Sequence, residues 1–137
     1  MEKIKYHLNL HDTFCRELGI ELVNIAPGQA QAVMKITSHH CNSMGAVQGG
    51  AVFTLADFAF AGAVNAYGKV TVTESSELHY LKSASGQQLK AEARELHRSR
   101  SRTLCEVKVY DDQGDLIASG LFKGAILPLD FPPVPEK

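Results

Sequence analysis

The sequence predicts an α+β fold, an antiparallel sheet of about six strands wrapped around one long buried helix. Three observations predict it. Residues 50–67 are rich in Ala, contain no proline and carry Asp57 as their only charge. A helix apolar around most of its circumference must be covered on most sides. Four strand-like runs follow, at Val70–Leu81, Leu89–Leu96, Thr103–Tyr110 and Leu116–Ile126, and two precede it, at Ile20–Ile25 and Ala30–Ile36. Grouping the strands around a single long helix is the pattern of an α+β layer, not of alternating βα units.

Each element has its own signal. Ile4, Leu8, Leu10, Phe14 and Leu18 recur among charges at roughly helical spacing, a weak amphipathic helix over residues 3–18. Pro27-Gly28 separates the first two strands. In the second strand, Ala30, Ala32, Met34 and Ile36 alternate with polar Gln31 and Lys35, so the pair reads as a hairpin with one buried face. Alternation is equally clear in Leu89-Lys-Ala-Glu-Ala-Arg94 and Cys105-Glu-Val-Lys-Val109, and Asp111-Asp-Gln-Gly114 is a turn. Four of the five prolines lie from Pro128 onward, which predicts an extended tail over 128–137 outside the core. The expectation is one domain, residues 1–127, followed by that tail.

Composition narrows the function classes. A length of 137 residues, 45% of them hydrophobic, suits one core. With 14 basic and 15 acidic side chains the net charge is −1, so no global attraction to phosphate backbones or anionic membranes is expected. Nucleic acid and membrane are therefore not expected partners. Cys15, Cys41 and Cys105 are widely spaced, with no CxxC pair. The start of the sequence lacks the apolar run of a signal peptide, and no stretch of ~18 apolar residues suggests a membrane span. Reduced thiols in the cytoplasm are the expectation.

One segment carries chemistry: His40-Cys-Asn42-Ser-Met-Gly45-Ala-Val-Gln48-Gly49-Gly50, leading into the buried helix. First-turn amides have no intrahelical partners and sit at the positive end of the helix dipole. They can bind an anion, or a carbonyl oxygen as it becomes one. Gly49-Gly50 also permits close helix–sheet packing. Asp57 is the second signal, a carboxylate among apolar neighbours that is costly to bury unpaired. Eight residues of helix separate Gly49 from Asp57, about 12 Å along the axis at ~1.5 Å per residue. One reacting carbon cannot easily touch both from the same chain, so a shared reaction implies a second copy and two composite sites.

From His40 to Asn65, and in the helix-then-four-strands order that follows, the chain resembles the hotdog-fold acyl-CoA thioesterases of the phenylacetate-degradation (PaaI-like) type. Their pattern, close to H-x-N-x-x-G-x-x-H-G-G-x-x-x-x-L-A-D, stands here as HCNSMGAVQGGAVFTLAD. The resemblance implies the hotdog fold and hydrolysis of an acyl- or aryl-CoA, by a homodimer or a dimer of dimers. It assigns the Gly49 amide to polarise the thioester carbonyl, with Asp57 of the facing subunit as nucleophile or general base. Asn42 would contact the carbonyl region or the water, and Ser75 would position that water, although Ser76 stands beside it. His40 and Gly50 fall among the substrate-binding positions. Gln48 replaces the usual histidine; it can hydrogen-bond but cannot shuttle a proton near neutral pH. The usual proline after the third strand is absent from Lys82-Ser-Ala-Ser-Gly86.

The chemistry needs an oxyanion donor and a charged carboxylate, with no metal or other cofactor beyond the coenzyme A of the substrate. His97-Arg98-Ser-Arg100-Ser-Arg102 alternates at strand spacing, which would put three guanidiniums on one side to meet coenzyme A phosphates. Arg100 and Arg102 are the candidates, and an ordinary solvated hairpin is the alternative. His39-His40-Cys41 has no second cluster at metal-ligand spacing. Cys41 is expected to pack, since adjacent residues of an extended segment point apart. A non-catalytic acyl-CoA-binding hotdog protein is the rival function, and a hotdog hydratase a second.

Overall fold

The computed structural model describes residues 1–133. Two short helices, α1 (Glu2–His11) and α2 (Thr13–Glu17), open the chain. They replace the single helix expected over residues 3–18. Asp12 leaves helical geometry at φ −79°, ψ 87°, and its carboxylate accepts from the Cys15 amide at 3.0 Å. An Asp at this position satisfies an orphan donor and starts a new helix, which outweighs continuation of the first.

Strands β1 (Ile20–Ala26) and β2 (Gln29–Lys35) form the expected hairpin. A short 3-10 turn at Ser38–His40 then leads through a loop to α3 (Gly49–Asn65). After it come β3 (Lys69–Tyr80), β4 (Gln88–Arg98), β5 (Arg102–Asp111) and β6 (Leu116–Asp130). All pairs are antiparallel, in the order β1-β2-β4-β5-β6-β3. The chain leaves α3 for the far edge of the sheet, so β3 is an edge strand twelve residues long, paired to β6 alone.

The inner face is written by period-two alternation. Ala30, Ala32 and Met34 of β2 continue into Leu89, Ala91 and Ala93 of β4 and then Cys105, Val107 and Val109 of β5, all buried. Against them lie Leu55, Ala56, Phe58, Ala59, Phe60, Ala63 and Val64 of α3. Small residues on the helix let the sheet approach closely. A Cβ on Gly62 would come within 2.7 Å of Leu22 and 3.1 Å of Ala30. Toward the β6 side, Phe122 packs at 5.5 Å from Phe53 and 5.6 Å from Phe60, ring centroid to centroid.

The final strand runs further than expected, through Pro128 to Asp130. Pairing slips between Lys69 and Thr71, where Val70 faces three residues of β6. Pro128 falls in that irregularity, a place where a missing N–H breaks no ladder. Residues 134–137 of the expected tail lie outside the described residues. Among the described residues, no helix is long and apolar enough to cross a membrane.

Candidate active site

The loop before α3 is held by its own side chains. His40 is buried; its Nδ1 accepts from the Thr37 amide at 3.0 Å, which leaves Nε2 to donate to the Leu18 carbonyl at 2.6 Å. Both ring nitrogens are spent inside the fold, so His40 anchors the loop to the end of α2 and has none left for substrate. Asn42 is similarly committed: its Oδ1 accepts from the Met44 amide at 2.9 Å and the Ala46 amide at 3.2 Å. Its side-chain oxygen shapes the turn, so contact with a carbonyl oxygen falls to the side-chain NH₂. A bridge between Cys41 and Val47 closes the loop, and the Gln48 amide donates to the His40 carbonyl at 2.7 Å.

Gln48 caps α3 with its backbone only. Its carbonyl accepts from Ala51 and Val52, while its side chain makes no cap bond and is exposed. The amides of Gly49 and Gly50 find no acceptor among the described residues. They are the free donors the sequence predicts at this helix start. The hydroxyl of Tyr80, at the end of β3, donates to the Gly49 carbonyl at 3.0 Å. Its ring lies 3.4 Å from the point where a Gly49 Cβ would be. The aromatic ring therefore sits over the first turn of the helix, at a distance that would also admit a Cβ.

Asp57 lies two turns further along, half-buried. Thr73 of β3 donates its hydroxyl to Asp57 Oδ1 at 3.1 Å. Burial raises the carboxyl above its ordinary proton affinity; the Thr73 bond opposes this and the nearby Asp12 carboxylate adds to it. The group is desolvated yet held by one hydroxyl, an arrangement suited to taking up a proton. Burial also pushes the neighbouring Cys15 thiol far up, reinforced by Asp12 and Asp57, so it is no nucleophile.

Ser75 is placed differently from its expected role. A bulge between Thr73 and Ser75 shifts the register, so Ser75 pairs with Lys123 while Ser76 pairs with the inward-facing Phe122. Directly paired residues share a face, so Ser75 belongs to the outer surface and Thr73 supplies the hydroxyl on Asp57. Sequence reasoning missed both Thr73 and Tyr80. The available signal was alternation along β3, which puts Thr73 on the face of Thr71 but would also put Ser75 there unless the bulge were known.

The arginine prediction is also revised. Residues 99–101 form the β4–β5 hairpin turn, so strand alternation does not hold across them. Arg98 turns onto the Tyr67 ring, 3.5 Å from its centroid, and pairs with Glu95 at 3.1 Å. Arg102 pairs with Glu74 at 3.1 Å, and Lys123 joins the same carboxylate at 3.3 Å. Arg100 is at the exposed tip of the turn. What remains is two cations around one acid with Arg100 close in sequence, not three aligned guanidiniums.

Within one chain the two halves of the chemistry stay apart. Gly49 and Asp57, eight residues apart on α3, stand about 12 Å apart along the helix axis, and β3 touches the two positions through Tyr80 and Thr73. The arrangement offers free amide donors at one end and a poised carboxylate at the other.

Known proteins share this fold. The Thioesterase superfamily model matches residues 44–118. An Archaeoglobus fulgidus protein named for an esterase is 31% identical over 136 residues, covering 97% of this chain and 87% of that protein. The acyl-coenzyme A thioesterase PaaI of Escherichia coli is 29% identical over 115 residues, covering 83% of this chain and 81% of its own. The solved E. coli PaaI structure superposes with a TM-score of 0.88 at 24% identity, over 92% of each chain. A Streptococcus mutans structure bound to acetyl CoA gives a TM-score of 0.74 at 24% identity, over 79% of this chain and 88% of that one. The family model over residues 44–118 and the likeness to the PaaI proteins show that the chain belongs to the thioesterase superfamily, as a hotdog-fold member of the PaaI-like type.

Proposed function

We propose that the chain hydrolyses an acyl- or aryl-CoA thioester to the free acid and coenzyme A, in sites shared between two copies. The observation that carries this reading is Asp57, half-buried and held by Thr73, beyond reach of the unpartnered Gly49 amide on its own helix. The thioesterase relatives and the acetyl CoA held by the S. mutans neighbour support the substrate class.

The edge strand supports the dimer. β3, twelve residues long and paired to β6 alone, presents the backbone groups of alternate residues along its free edge, a template for another strand. Antiparallel pairing with its own copy, about a two-fold axis near Ser76 and Glu77, would bring the Tyr80 end of one strand beside the Thr73 position of the other. Gly49 of one subunit then faces Asp57 of the partner subunit.

In that site the thioester carbonyl oxygen accepts from the Gly49 amide, which stabilises the negative charge that builds up on attack. Asp57 takes a proton from water as it adds to the carbonyl carbon. The C–S bond then breaks, and coenzyme A leaves as the thiolate and is protonated. Alternatively, Asp57 attacks directly to form an anhydride that water opens. The Asn42 NH₂ and the exposed Gln48 side-chain amide are available to the carbonyl and the water, and Gly50 admits the substrate close to the backbone. Arg100, Arg102 and Lys123 are the cations available to the coenzyme A phosphates.

The test is steady-state thiol release from a panel of acyl- and aryl-CoAs by wild type and Asp57→Asn. A loss of about 10²–10⁴ in kcat is expected for the variant. Wild type that binds CoA esters but releases no thiol would favour the non-catalytic binder. A fully active Asp57→Asn would remove Asp57 from the site.

A further inference from the structure

We infer that Tyr80 is a positioning residue for the oxyanion site, acting through the Gly49–Gly50 peptide, and that the Gly50 amide is a second donor beside that of Gly49. The inference rests on the thioesterase reading for its role in rate, but its physical core is independent of it. Tyr80 donates its hydroxyl to the Gly49 carbonyl at 3.0 Å. That carbonyl belongs to the same peptide unit as the Gly50 N–H, so a donor on the oxygen draws charge from the nitrogen and strengthens its N–H as a donor. Gly50 N–H has no acceptor among the described residues and lies in the first turn, beside that of Gly49.

Two further observations support the assignment. The Tyr80 ring sits 3.4 Å from where a Gly49 Cβ would stand, so the ring as well as the hydroxyl lies over the first turn. Tyr80 is 52% exposed, and its partial burial only adds to an ordinary phenol's hold on its proton, so the hydroxyl is a donor at neutral pH. Because β3 also carries Thr73 on Asp57, each edge strand supports one half of each of the two shared sites.

The test is Tyr80→Phe, which keeps the ring and removes the donor. Thiol release is expected to fall about tenfold in kcat with KM little changed, less than for loss of a direct oxyanion donor. In ¹H–¹⁵N spectra of the full chain, the Gly50 amide should move toward weaker polarisation while Gly45, in the loop, stays in place. Thermal unfolding and dimer mass should match wild type. An unmoved Gly50 amide would overturn the inference, as would a kcat equal to that of wild type or a loss confined to KM. If wild type releases no thiol from any acyl-CoA, the proposed function fails separately, and the amide shift still judges the action of Tyr80 on the peptide.

Discussion

Replacing Gly49 by proline should delete one N–H donor and leave the backbone as it is. Gly49 is the first residue of α3, after Gln48 as N-cap. Proline is favoured at that position because its fixed φ suits a helix start and the missing N–H has no intrahelical acceptor. Gln48 has φ −62° and ψ 135°, the extended conformation that a residue before proline adopts. Gly49 does not have positive φ, and its Cβ position clears the nearest atom, Tyr80 Cζ, by 3.4 Å. The expected change in stability is within about 1 kcal/mol. Losing a direct oxyanion donor costs about 10²–10³ in kcat, roughly 2.7–4 kcal/mol of transition-state stabilisation. Measuring kcat and KM by thiol release, with thermal unfolding alongside, separates the two effects. A folded Gly49→Pro protein with kcat within about threefold of wild type would refute the oxyanion role of this amide.

Further outcomes follow from the same geometry. Burial raises the folded-state pKa of Asp57 above its unfolded value, so the ionised group opposes folding at neutral pH. That opposition is absent below the unfolded pKa and sets in as pH rises through the folded one. Asp57→Asn should therefore melt higher than wild type at pH 7, with the gap closing on acidification; equal melting at pH 7 contradicts this. Thr73→Val removes the bond that lowers the Asp57 pKa, so the acidic limb of kcat/KM should move to higher pH, and an unmoved limb would separate Thr73 from Asp57. Gly62→Val would press on Leu22, Ala30 and Ile25, and denaturant unfolding should show a loss of about 1–3 kcal/mol.

Elements with strong periodicity were legible in the sequence. The buried helix, the hairpin and all six strands follow from apolar patterning and turn chemistry, and the structure moves their ends by only a few residues. The exceptions have local physical causes. Asp12 capped a new helix where spacing alone predicted continuity, and the slip between Lys69 and Thr71 let β6 run through Pro128. The backbone part of the candidate site was legible because Gly49-Gly50 opens the helix. Its side-chain part was not. One unmarked bulge set Thr73, not Ser75, against Asp57, and a hairpin turn redirected Arg98 and Arg102 onto Glu95 and Glu74. Tyr80 escaped notice because its partner is a backbone carbonyl 31 residues away, a contact no local pattern encodes.

The central claim is that each site takes Gly49 from one chain and Asp57 from another. Subunits of Gly49→Pro and Asp57→Asn, each inactive alone, can be co-expressed in equal amounts. Random pairing makes half of the dimers mixed, each with one intact site, so the mixture should recover about one quarter of wild-type activity. A mixture that forms mixed dimers but stays as inactive as its parents would contradict the shared site.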